Sequence, residues 1–192
     1  KQILQDNFDL FETWVKYLVR YGLVPDSQLC TDDFAGHLDK NANLAVKSIV
    51  GIYCFAEMAE ALDKSDLAAE YYSLARNYAE QWKTLYNDVD HTMLCLDNHD
   101  SYSLKYNIAI DKLLGSDLFD DELVQKELRY YDKMSGKYGV PLDTRNTYTK
   151  TDWMLWVATL GDNAEVDKYA SYIVNFFADT PQRVPFPDWI DT

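Results

Sequence analysis

Two kinds of helical pattern alternate along this 192-residue sequence, and the alternation constrains the fold more than any other feature. Residues 3–21 carry one apolar stripe at helical spacing, through Leu4, Phe8, Phe11, Val15 and Leu18. Residues 41–62 are instead apolar nearly all round, which requires burial on most sides. A single stripe returns over residues 65–86 through Leu67, Tyr71, Leu74, Tyr78 and Leu85. Residues 108–114 form a short apolar helix, and residues 122–134 are striped by Leu123, Val124, Leu128 and Tyr131. Residues 152–160 are continuously apolar from Trp153 to Ala158, and residues 164–178 carry Val166, Ala170, Ile173 and Phe177 on one face. A striped helix keeps one wet face, whereas an all-apolar helix must be enclosed. The order outer, inner, outer, inner, outer, inner, outer is met by helical hairpins arranged in two layers around a ring. The expectation is an all-α fold, an (α/α) toroid of helical hairpins, with residues 1–192 forming one domain.

A hairpin cannot bury its inner face alone, and three of them amount to about half of a six-hairpin barrel. The chain is therefore expected to be completed by more of the same protein or by a second copy. Its start at Lys1 rather than Met predicts a processed or trimmed N-terminus.

The connections alternate as well. Inner-to-outer joins are short (63–64, 115–121 and 161–163), whereas outer-to-inner joins are long (23–40, 87–106 and 135–151). Because successive helices run antiparallel, the three long loops and the tail at 180–192 should emerge at one end. Long loops in a compact domain are commonly functional, so the site is expected there. Two of them share a repeat: LDNHDSYS at 96–103 matches LDTRNTYT at 142–149.

Composition removes several function classes. A net charge of −14 leaves nothing to neutralise nucleic-acid phosphates or to hold an anionic membrane. No uninterrupted apolar run approaches the ~20 residues of a membrane span. Neither nucleic acid nor membrane is expected as a partner; a small molecule is. The aromatic share of 15% fits the packing of long helices or a carbohydrate-type surface. Cys30, Cys54 and Cys95 have no metal-type spacing. Cys54 reads as an inert core residue, whereas Cys30 and Cys95 both fall in loops, where a disulfide could join them. Neither the His91 and His99 spacing nor any phosphate-loop, dinucleotide or nucleophile-elbow motif calls for a metal or cofactor, so none is expected.

Candidate chemistry concentrates in the loops. Asp32 and Asp33, with His37 nearby, could act as general acid or base, or one Asp could simply cap a helical turn. The third loop and the helix after it bring Asp143, Arg145, Tyr148, Lys150, Asp152 and Trp153. An Arg or Lys beside an Asp suits a carboxylate, an amide or sugar hydroxyls, and Asp152 could also be a plain cap. The second loop offers Lys105 and Tyr106. The tail offers Arg183, Asp188 and Trp189, which either cover a pocket or pack down on the domain.

At these loops the chain resembles the glutaminase A family of fungi and bacteria. The likeness is carried by CTDDFAGH at 30–37 followed by NANL at 41–44, YSLKYN at 102–107, residues 138–156, RVPF at 183–186 and DWIDT at 188–192. It spans nearly the whole chain and corresponds to the C-terminal part of that family's six-helical-hairpin domain. The resemblance implies hydrolysis of L-glutamine to glutamate and ammonia in a secreted or periplasmic setting, and an N-terminal part of the protein upstream. It assigns no residue. The residues themselves suggest Asp32, Asp33 and Asp152 as catalytic candidates. His37, Lys105, Tyr106, Arg145, Lys150, Trp153, Asp188 and Trp189 are the candidates for binding. The six-hairpin architecture is also similar to that of many glycoside hydrolases. Asp32 or Asp33 with Asp152 as paired carboxylates, and Trp153 or Trp189 as a sugar platform, form the alternative. A non-catalytic binding module is the third reading.

Overall fold

The computed structural model describes residues 1–181 and 184–192, so Arg183 lies outside the described residues. The chain is mostly helical, with eight α-helices. They are α1 (Gln2–Asp6), α2 (Phe8–Tyr21), α3 (Ala42–Ala61), α4 (Ser65–Leu85), α5 (Ile108–Leu114), α6 (Asp121–Met134), α7 (Thr151–Ala158) and α8 (Asn163–Asp179). Each expected helix falls within a residue or two of its place except the first. That helix breaks at Asn7, whose Nδ2 donates to the Ile3 carbonyl at 2.9 Å and so competes with the backbone ladder.

Burial follows the two patterns at α3 and α8 but not at α5 and α7, expected to be enclosed, where Leu113, Leu114, Leu155 and Trp156 are exposed. Helix α3 buries residues on every side, from Ala42, Val46 and Ile49 to Ile52, Phe55 and Ala59, whereas α8 buries only Tyr169 and Ile173. Ala42–Glu60 is long and apolar enough to cross a membrane, although Lys47, Glu57 and Glu60 interrupt its apolar run. Here that apolar surface is used for packing: α2 and α4 cover α3 on the outside and α5 lies beside it. Helix α3 packs against α5 and α5 against α7, with α4 packed on α3 and α8 on α7. Short joins hold the hairpins. Asp63 takes a positive φ of 62° between α3 and α4, and Gly115 ends α5 in the left-handed region at φ 65°. Side chains of Asn41, Asp120 and Asp162 cap α3, α6 and α8 by accepting from the amides of Leu44, Leu123 and Glu165.

The fold is not purely α. Strand β1 (Tyr148–Lys150) pairs antiparallel with β2 (Trp189–Asp191), in the register Tyr148 to Asp191, Thr149 to Ile190 and Lys150 to Trp189. Both segments alternate, with Thr149 and Ile190 turned inward, and this period-two burial overrode the expectation of structureless loop and tail. The sheet ties the chain's end across the third loop. The two copies of the repeat also meet: Ser103 bridges to Asp143, and the Leu104 amide donates to the Leu142 carbonyl at 2.8 Å. The long loops therefore do gather at one end.

Candidate functional site

At that end the first and third loops are joined through one guanidinium. Asp143 Oδ1 accepts from the Arg145 amide at 2.8 Å, folding the chain so that the Arg145 side chain turns back on the same carboxylate. Its Nε then donates to Asp143 Oδ1 at 2.9 Å and Nη2 to Asp143 Oδ2 at 2.5 Å. From there Nη1 reaches the Ala35 carbonyl at 2.9 Å and Nη2 lies 3.5 Å from Asp32 Oδ2. The hydrogen bonds to Asp143 hold the guanidinium above its ordinary pKa, so it is a permanent cation.

Asp32 is buried beneath this clamp. Its Oδ1 accepts from Tyr106 Oη at 2.9 Å, and Cys30 Sγ lies 3.9 Å from the same hydroxyl. Burial, reinforced by the Asp32 charge, pushes the Cys30 thiol up to about 12 and the Tyr106 phenol well above its usual range. Cys30 is therefore a protonated, unreactive thiol. All three cysteines are free, which corrects the suggestion of a Cys30–Cys95 bridge. The Tyr106 ring stacks on Trp153, with centroids 4.3 Å apart and planes at 11°. Trp153 in turn meets Trp156 edge-on at 5.1 Å.

Beside this stack are two buried polar atoms with no hydrogen-bond partner among the described residues, Asp152 Oδ1 and Trp153 Nε1. They sit on consecutive residues in the first turn of α7. Buried atoms without a hydrogen-bond partner also occur singly at Thr92, Thr149, Glu165 and Tyr169, but among the described residues two fall on consecutive positions only here, a concentration that suits a ligand or a chemical role. Lys150, just before them, pairs with Asp188 at 2.6 Å and lies over the Phe34 ring at 5.3 Å. Its pKa is raised, first by the Asp188 hydrogen bond, with the charges of Asp152, Asp188 and Asp33 adding to it. Phe34 also packs on Tyr148 and Trp189, whose own rings are 4.6 Å apart, forming an aromatic rim that leaves Trp189 half-exposed.

The structure thus brings together Asp32, Tyr106, Arg145, Asp152, Trp153, Lys150, Asp188 and Trp189, with Asp33 exposed at the edge. It separates two others. His37 is exposed and makes no hydrogen bond among the described residues. Lys105, expected to bind substrate, is fully buried elsewhere: its ammonium donates to the Thr92 and Ser103 carbonyls and to Ser103 Oγ, and stands 4.0 Å from Glu127. A Lys in a motif-like loop looks available in sequence, but here the loop turns it into the core against α6. Arg145 is also spent on protein groups rather than turned toward an open space.

Sequence reasoning missed Lys47 and Asn107 as site residues. The signal for Lys47 was present: it is the one charged residue from Ala42 to Ala56 of an otherwise apolar inner helix. The lysine extends to donate to Thr31 Oγ1 at 3.2 Å, beside Asp32. Cys54, read as core, is half-buried on the same wall.

The model of the glutaminase A six helical-hairpin domain matches residues 1–192. Glutaminase A of Aspergillus oryzae is 34% identical over 193 residues, covering 98% of this chain and 28% of that protein. A protein of Arthroderma benhamiae named as a probable glutaminase is 30% identical over 211 residues, covering 93% of this chain and 24% of that one. The chain spans about a quarter of the length of these curated relatives.

Proposed function

The chain belongs to the glutaminase A six helical-hairpin family, and on that premise we propose that it carries a site hydrolysing the carboxamide of L-glutamine to glutamate and ammonia. The observation that carries the reading is the unpartnered pair, Asp152 Oδ1 and Trp153 Nε1, at the loop end. Asp152 has a carboxylate oxygen free to accept a proton, whereas Asp32 has both oxygens engaged by Tyr106 and Arg145. In the proposed step Asp152 takes a proton from water as its oxygen adds to the carboxamide carbon. The same carboxyl then returns the proton to nitrogen as the C–N bond breaks and ammonia leaves. The Lys150 ammonium lies close enough to favour charge developing on the carbonyl oxygen. Trp153 Nε1 supplies a donor, and its ring is held flat by Tyr106, itself fixed by Asp32.

The glycosidase reading asks for two carboxyls free to face a sugar from both sides. Asp32 is committed to a tyrosine and a guanidinium, which favours the amide chemistry. Exposed apolar side chains support reading the chain as an arc of a larger ring, completed by preceding hairpins of the same protein. Leu10, Trp14 and Tyr17 lie along α2, and Leu155 and Val174 along α7 and α8.

The test is ammonia release from L-glutamine by the chain and by Asp152→Asn. Turnover by the chain that falls on the order of a hundredfold or more in the variant is expected. Equal rates for the two, or no turnover by the chain, would overturn the proposal.

A further inference from the structure

A cavity of about 360 Å3 lies against α3, α5 and α7, with Trp156 of its lining packed on Trp153, and its volume is near the lower end of the ~300–1,000 Å3 typical of small-molecule sites. Its floor is apolar, with Val50, Ile110 and Trp156, and its polar groups are few: Thr31, Lys47 and Asn107. Each of these adjoins the cluster already described. Thr31 precedes Asp32, Asn107 follows Tyr106, and Trp156 packs edge-on against Trp153.

Two of the polar groups have unused capacity of opposite kinds. Lys47 donates only to the Thr31 hydroxyl and has no carboxylate within ion-pairing distance among the described residues. Asn107 is 3% exposed, and its orientation is fixed because Nδ2 donates to the Asn43 carbonyl at 3.0 Å while its amide donates to Asn43 Oδ1 at 3.3 Å. That leaves Asn107 Oδ1 as an acceptor with no partner among the described residues, on a side chain lining the cavity. That oxygen is not sealed from solvent, so a donor entering the cavity can reach it. A larger polar cavity of about 470 Å3, between α4 and α6, is lined at its polar positions by exposed or half-buried side chains, most of the lysines among them already paired. Its Lys83 is paired with Glu80 and Asp120, Lys126 with Asn87 and Lys133 with Asp90.

We infer that this cavity is the subsite for the head group of an α-amino acid, with the carboxylate on Lys47 and Thr31 and the ammonium on Asn107 Oδ1. The choice of glutamine as its natural occupant rests on the function proposed above; the head-group assignment rests on the cavity alone. A cation and a free acceptor at one rim match a carboxylate and an ammonium on one carbon, whereas a simple anion uses only the cation. The apolar floor takes the methylenes, and Trp156 leads the side chain toward Trp153 and Asp152. Lys47, rather than Arg145, is the carboxylate-binding cation, because the guanidinium is already occupied.

The test is calorimetric titration of the chain with L-norvaline, which has the head group without a hydrolysable carboxamide, and with L-glutamine. Both are expected to bind saturably. Lys47→Met should weaken both on the order of tenfold, as for loss of a charge-assisted hydrogen bond, and Lys47→Arg should recover most of the loss. Glutamine with its α-carboxylate blocked as an amide should bind the unaltered chain as weakly as glutamine binds Lys47→Met. Unchanged affinity in Lys47→Met, equal binding of the blocked compound, or no binding of either amino acid would overturn the subsite. Two results separate this inference from the glutaminase reading. Lys47-dependent binding without ammonia release sinks the reading and keeps the subsite, whereas ammonia release with a KM indifferent to Lys47→Met does the reverse.

Discussion

Two buried clusters in this protein use the same kinds of residue to opposite ends. In one, Lys105, Glu127 and Tyr131 join the second loop to α6. Tyr131 Oη lies 2.7 Å from Glu127 Oε2, Glu127 Oε1 accepts from the Thr92 amide at 2.7 Å, and the Lys105 ammonium donates to two carbonyls and a hydroxyl. In the other, Arg145, Asp32 and Tyr106 join the first loop to the third and the second, and the neighbouring Asp152 and Trp153 are left with unpaired atoms. Both contain a cation, a carboxylate and a tyrosine, so residue type does not distinguish them. Completeness does. In the first, Lys105, Glu127 and Tyr131 are all paired, and although the neutral Thr92 Oγ1 beside them is not, no charged group is left over, so the cluster holds the fold together. One that stops short, beside a cavity, has capacity left for a ligand.

The comparison can be broken most sharply at Asp152. Asp152→Asn should lower ammonia release by about 10²–10⁴-fold while leaving the urea midpoint nearly unmoved, because no protein group loses a hydrogen bond to Oδ1. A large drop in stability would mean that Asp152 belongs with the structural cluster. Glu127→Ala should do the opposite. It strands the buried Lys105 ammonium and the Thr92 amide, costing about 3 kcal/mol in urea unfolding, although the 4.0 Å separation from Lys105 argues for the lower end of what buried pairs show.

Lys105 provides a pH signature. Burial lowers its pKa from the ordinary 10.5 to about 8, so between these values the unfolded chain binds a proton that the folded chain does not. Stability gained from this group should therefore rise with pH across that window, by up to about 1.4 kcal/mol per pH unit. Lys105→Met should flatten the slope in unfolding curves taken from pH 7.5 to 10.5; an unchanged slope would place the titration elsewhere. The smallest effect is expected at the outer rim of the site. Asp188→Asn removes an ion pair with Lys150 in which the carboxylate is two-thirds exposed, and thermal unfolding should register about 0.5 kcal/mol or less. A larger loss would show that the tail strand depends on that pair.

Much of this architecture was legible before any coordinates. The all-round apolar pattern anticipated the enclosure of α3 between α2 and α4, though α5 and α7 proved half-open, and loop length pointed to the end where the long loops gather. The exceptions have local causes. Asn7 broke the first helix by bonding its own backbone, and β1 and β2 formed because Thr149 and Ile190 could be buried only by pairing. Among the candidate residues, Asp152, Lys150 and Trp153 fell where the loop argument put them, while Lys105 did not. Its position inside YSLKYN gave no hint that the loop would turn inward.

The sequence by itself determined the helices, their two layers and the crowding of polar loops at one end, because amphipathic period and connection length are properties of neighbouring residues. Tertiary structure alone decided which polar groups would be satisfied. Tyr106 finds Asp32 across 74 positions, Arg145 finds Ala35 across 110, and Lys105 finds Thr92 across 13. Hydrogen bonds are short and directional, so pairing depends on ångström-scale placement that no spacing in the chain encodes. Among the buried atoms left unpaired by those choices, the ones at Asp152 and Trp153 mark where the chemistry is proposed to occur.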